Sequence, residues 1–152
     1  MSIQDRLKQM GISLPPACRP AAAYMMAVRS GSQLHVSGHI ARQGGAPWVG
    51  CLGDDMSTEQ GIEAARSVAL DLLATLQDQL GGLQRVERVV KCVVLVNSAP
   101  TFTEQHLVAN GASQLLLDVL GDAGRHARSA FGVAQLPLGV CVEIELIADV
   151  VA

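Results

Sequence analysis

The sequence predicts an α+β fold in which one sheet carries two long helices on a single face. Strand-like runs alternate with two long helical patterns, in the order β-β-(β)-α-β-α-β-β after a helical lead-in. The chain has 152 residues, enough for one sizeable core. It contains no internal repeat, linker or low-complexity stretch. Residues 1–152 therefore read as one domain, with 1–20 as a helical, proline-rich N-terminal lead-in.

Each element has a local cause. From Ser2 to Met10, Ile3, Leu7 and Met10 recur at helical spacing, and Gly11 stops the helix. Pro15, Pro16 and Pro20 then forbid regular structure. Tyr24 to Arg29 reads as a strand, Ser30-Gly31-Ser32 as a tight turn and Leu34 to Ser37 as the hairpin partner. Gly38 to Met56 is a long glycine-rich loop that encloses a short strand at Trp48-Val49, and loops of this length are often functional. Ser57 and Gln60 form a capping box. Ile62, Ala65, Ala69, Leu72, Leu73, Leu76 and Leu80 then mark one apolar helix face, and Gly81-Gly82 ends it.

Val86 to Val96 is a β-branched strand expected to be buried on both faces. A second helix runs from about Thr103 to Leu120 and stops at Gly121. Two charged, otherwise apolar runs close the chain. One holds Arg128 and the other Glu143, with Leu136-Pro137-Leu138-Gly139 between them.

Composition narrows the function. Residues are 49% hydrophobic and only 16% charged, which leaves little charge to cover a monomer and points to a buried subunit interface. Aromatics are 3%, too few for a base-stacking surface. With net charge -3 and only Lys8 and Lys91 as lysines, strong binding of nucleic acid is not expected. Cys18, Cys51, Cys92 and Cys141 form no CxxC pair and read as reduced thiols. No leader-like segment or membrane-length apolar run occurs, so a soluble, cytoplasmic protein is expected.

Most chemical motifs fail. His35 and His39, four apart on one strand, would share a face, but no further ligands join them and no metal site is expected. Neither GxxxxGK[ST], GxGxxG nor GxSxG occurs. Cys141 lies mid-strand with nothing to activate it, and nothing fixes His106 and His126 as an acid–base pair. Arg128 and Glu143 remain. If the last two strands form a hairpin, these residues face one another. They are then either a solvated cross-strand ion pair or, because Ala130 and Gly132 leave room beside the guanidinium, a fork for a small carboxylate.

Ala127-Arg128-Ser129, Gly132-Val133-Ala134, Leu136-Pro137 and Val142-Glu143-Ile144-Glu145 closely resemble the C-terminal signature of the YjgF/Rid family, whose members are also called RidA-like or L-PSP endoribonuclease-like. Val36-Ser37-Gly38 resembles its N-terminal motif, and the likeness covers roughly Tyr24 to Asp149. The resemblance implies a chorismate-mutase-like homotrimer with clefts between subunits. It also implies hydrolysis of reactive 2-imino and enamino acids to 2-oxo acids and ammonia without metal or cofactor.

By the same resemblance, Arg128 binds the substrate carboxylate and Glu143 positions water and manages protons. Tyr24, Gly38, Asn110 and Ala130 line the cleft. The approach to the pocket departs from the family pattern at Ala22-Ala23-Tyr24-Met25, and His39 stands out as a new polar pocket group. Ala130 replaces a frequent cysteine, and Gly121 to His126 resembles an insertion. The alternatives are a non-catalytic trimer that binds small carboxylates as a regulator and, after the family's older name, a ribonuclease.

Overall fold

The computed structural model describes residues 1–152. Seven strands and three α-helices follow in order: α1 (Ile3–Gln9), β1 (Ala27–Ser30), β2 (Gln33–Ile40), β3 (Arg42–Gln43), β4 (Ala46–Pro47), α2 (Thr58–Leu80), β5 (Val86–Asn97), α3 (Gln105–Leu120), β6 (Ala127–Val133) and β7 (Val142–Val150). Five strands form a mixed sheet in the order β1-β2-β7-β5-β6, antiparallel except for the β5–β6 pair. One cluster of 34 buried residues joins α2, α3 and one sheet face. The expected α+β architecture is present.

The helices form where local signals place them. Ser57 and Gln60 exchange both bonds of a capping box at the start of α2. From Val68 to Leu76 the buried face of α2 includes Ala69, Leu72 and Leu73, all fully covered. Ser2 caps α1 in the same way through Asp5. In β5, burial alternates. Cys92, Val94 and Val96 enter the core, while Val93 and Leu95 are half-buried on the opposite face. Burial on both faces is thus incomplete within one chain, because no helix covers that second side.

Four local expectations are corrected. The first strand starts at Ala27, so Tyr24 lies in the approach to it. Trp48-Val49 is not a paired strand. The hairpin is β3–β4 around Gly44-Gly45, both at positive φ (60° and 80°), and Val49 makes only an isolated bridge to Val140. A β-bulge between Val36 and His39 separates the faces of His35 and His39, because the extra residue shifts the alternation by one. His35 is exposed, whereas His39 turns into the core.

The fourth correction concerns the sheet itself. β6 and β7 are not a hairpin; β5 lies between them. The 3-10 turn at Pro137–Gly139 carries the chain across the end of β5 instead of folding it back on β6. Arg128 therefore pairs with Cys92, and Glu143 with Leu95 and Ile40. The cross-strand Arg128–Glu143 ion pair does not exist.

Candidate functional site

Paired residues on neighbouring strands project to the same side of a sheet. Arg128 shares the row of Cys92 and Leu146, which are core residues, so it leaves β6 on the helix side. Glu143 alternates with buried Val142 and Ile144, so it leaves β7 on the uncovered side. One chain thus holds its guanidinium and its carboxylate on opposite faces.

The guanidinium half is built by α3. Arg128 Nη1 donates to Asn110 Oδ1 at 2.8 Å and to Ser113 Oγ at 3.1 Å, and Nη2 donates to the His106 carbonyl at 3.2 Å. Residues 106, 110 and 113 fall on one helix face by their spacing. These contacts use three of the five guanidinium N–H donors and leave Nε–H and one Nη2–H free. Ser113 also bonds His126 Nε2 at 2.9 Å, and His126 Nδ1 meets the Gly124 carbonyl at 2.6 Å. A carbonyl only accepts, so Nδ1 carries the hydrogen of that bond. Ala130, two residues beyond Arg128 on the same face, packs partly against the core. The recess at Arg128 measures about 280 Å³ and includes Arg125 and His126.

The carboxylate half is a larger cavity of about 790 Å³ lined by Tyr24, Gly38, Glu143 and Glu145 among others. Glu143 lies directly over Gly38, where any Cβ would run into its Oε1. Its carboxyl has no hydrogen-bond or ion-pair partner within the chain. Burial, with Glu145 adding to it, pushes the Glu143 carboxyl above its ordinary pKa. Ser37 binds the bulge to the approach segment, its N–H reaching the Met26 carbonyl at 2.8 Å and its hydroxyl reaching Met25. This fixes the backbone that presents Tyr24, whose side chain is exposed.

His39 lines the cavity but points its ring inward. Nδ1 bonds the Ser37 carbonyl at 2.7 Å and Nε2 bonds Thr75 on α2 at 2.7 Å, so both nitrogens are committed. Burial pushes its pKa down. The ring is a structural tie between β2 and α2, so His39 lines the cavity with both ring nitrogens already bonded within the chain.

The predicted residues thus fall into two groups. Tyr24, Gly38, His39 and Glu143 meet at one cavity, and Asn110, Arg128 and Ala130 at the other side of the sheet. Sequence reasoning missed Ser113 and the His106 carbonyl, although their spacing with Asn110 was available as a signal. It also missed Cys18, Arg19 and Arg42 on the larger cavity. Cys92 and Cys141 are buried thiols, pushed up to about 12 and about 11 respectively by burial, which keeps them protonated. No group of three or more potential metal ligands occurs.

Comparison with known proteins agrees with this architecture. Residues 4–150 match the model of a family described as "YjgF/chorismate mutase-like, putative endoribonuclease". Protein TCP17 of Trypanosoma cruzi is 49% identical over 149 residues, covering 97% of this chain and 93% of that protein. The crystal structure of Atu1372 from Agrobacterium tumefaciens, a protein of unknown function, superimposes with a TM-score of 0.88 at 40% identity and covers 97% of this chain and 91% of its own. A putative endoribonuclease from Shewanella oneidensis MR-1 gives 0.94 at 29% identity, covering 99% and 100% of the two chains.

Proposed function

Because the chain belongs to the YjgF/chorismate mutase-like, putative endoribonuclease family, we propose that it hydrolyses reactive 2-imino and enamino acids to 2-oxo acids and ammonia, in clefts formed between subunits of a homotrimer. One observation carries this reading. A ready guanidinium and a free carboxylate stand on opposite faces of one chain and cannot meet within it. A cyclic assembly repeats one heterologous contact, and such a contact can bring Arg128 of one copy to Glu143 of the next. The uncovered sheet face, with Val28 at 52% and Phe131 at 47% exposure, supports association of this kind.

The chemistry follows from the parts. Arg128 binds the substrate carboxylate through Nε–H and the free Nη2–H, the geometry of a bidentate fork. An enamine first shifts a proton to carbon and becomes the imine. Glu143, ionised, takes a proton from water as the water oxygen bonds to C2. That proton passes to the imine nitrogen to give the carbinolamine. Its hydroxyl then yields its proton to Glu143, which hands it to nitrogen as the C–N bond breaks, so ammonia leaves and the oxygen remains as the C=O of the 2-oxo acid. A carboxyl held above its ordinary pKa is suited to passing a proton in both directions. Orientation supplies most of the remaining acceleration, since the imine carbon is already electrophilic.

The test is complementation. Arg128→Ala and Glu143→Ala are each expected to lose accelerated ammonia release from enzymatically generated 2-aminoacrylate. Co-expressed in equal amounts, they should regain about a quarter of wild-type activity, because a site is whole when both neighbours contribute an intact residue. No recovery in demonstrably mixed oligomers would sink the shared site. Wild-type protein that releases no ammonia but is stabilised by 2-oxo acids would favour the regulatory alternative. The ribonuclease reading has little to hold RNA, given net charge -3 and two lysines.

A further inference from the structure

The larger cavity has a cationic wall that the proposed reaction does not use. Arg42 and Arg19 line it together with Glu143 and Glu145. Neither arginine has a carboxylate within ion-pair distance; the single ion pair of the chain is Arg125–Asp122. Arg42 is held in place, with Nη1 donating to Cys18 Sγ at 3.7 Å and Nη2 to the Gly45 carbonyl at 2.9 Å. Three of its five N–H donors remain free. Asp71 on α2 is the nearby acid that feels its charge, and that carboxyl is buried.

Ile40 is the strand partner of Glu143, and Arg42, which opens β3 two residues later, lines both this cavity and the adjoining recess that holds Asp71. Cavities near 790 Å³ are of the size that holds drug-sized ligands, so a three-carbon acid would leave most of this one to water.

We propose that Arg42, assisted by Arg19, is a second anion-binding position in the Glu143 cavity, so that the chain selects imino acids bearing a distal carboxylate. This rests on the deaminase reading for the reaction, though not for the binding preference. Arg128 of a neighbouring copy holds the carboxylate beside the imine, and Arg42 holds the far one. Two fixed guanidinium groups at either end of a chain of carbons discriminate by charge and by length.

Titration calorimetry with 2-oxoglutarate and 2-oxopentanoate compares two five-carbon acids that differ in the distal carboxylate. Wild-type protein is expected to bind 2-oxoglutarate about tenfold more tightly, the scale of one charge-assisted fork. Arg42→Gln should erase that preference and leave 2-oxopentanoate affinity unchanged, and Arg42→Lys should restore part of it. Arg19→Gln, which removes an exposed side chain without hydrogen bonds, should weaken it without touching the fold. Equal affinities for the two acids, or a preference that survives Arg42→Gln and Arg19→Gln together, would overturn the proposal. Ammonia release from 2-iminoglutarate and from 2-iminopentanoate tests the parent reading separately. If neither is accelerated but the binding preference holds and needs Arg42, the second anion position stands and the deaminase falls.

Discussion

Gly38 is the residue on which the carboxylate half of the site depends most directly. A methyl group there would displace the Glu143 carboxylate and leave the backbone undisturbed, since the atom it meets ends a flexible side chain. An off-rotamer shift costs about 0.5–1.5 kcal/mol, so Gly38→Ala is expected to melt within a few degrees of wild type. Its turnover should fall at least about tenfold if Glu143 carries the proton as proposed, because that carboxylate has moved. Equal turnover would show that Glu143 acts from another rotamer. Glu143 has its own pH signature. Its pKa is raised in the folded state, so the folded chain binds this proton at higher pH than the unfolded one, and stability falls as pH rises through that window. The ionised carboxylate therefore costs stability at neutral pH. Glu143→Gln should melt above wild type near pH 7.5, with the gap closing as pH drops below the ordinary carboxyl range. A variant that melts lower at pH 7.5 would contradict the burial argument.

At the scale of elements, the bulge in β2 decides which side chains serve the site and which serve the core. It turns His39 onto Thr75 and leaves Gly38 facing Glu143. Removing the ring would leave the Ser37 carbonyl and the Thr75 hydroxyl without partners in a buried space, at a cost of about 3 kcal/mol. Urea denaturation of His39→Ala should show this loss with turnover per folded molecule preserved. Intact stability with lost turnover would instead make the ring catalytic. The bulge also marks what sequence could reveal. Helices α1 and α2 were readable because their signals are local: capping boxes and an apolar stripe within one segment. The neighbours of β6 and β7 were not readable, because the Pro137–Gly139 turn suits either a hairpin or a crossing. Only the long-range burial of β5 between them settles the choice. Arg128 and Glu143 stood out by type. Their opposite faces were hidden by the assumed hairpin, and the role of His39 by the assumed unbroken alternation.

For the whole molecule, the uncovered face of the sheet is the feature that calls for a partner. Val28, Val93, Leu95, Phe131 and Ile147 lie on it, half-buried or exposed. A second copy is the occupant that would also complete the divided site. Charges placed on this face, as in Val28→Glu with Phe131→Glu, should yield monomers by sedimentation, with the core intact by circular dichroism and ammonia release abolished. Persistent trimers, or active monomers, would refute the arrangement. Placing the guanidinium and the carboxylate on opposite faces has a kinetic consequence. A catalyst divided in this way responds to dilution, so near its dissociation constant the rate rises faster than in proportion to protein concentration. Below that concentration, the cell would lose the activity while keeping every polypeptide folded. Specific activity would then report how much of the protein is assembled, and expression level alone would act as a switch.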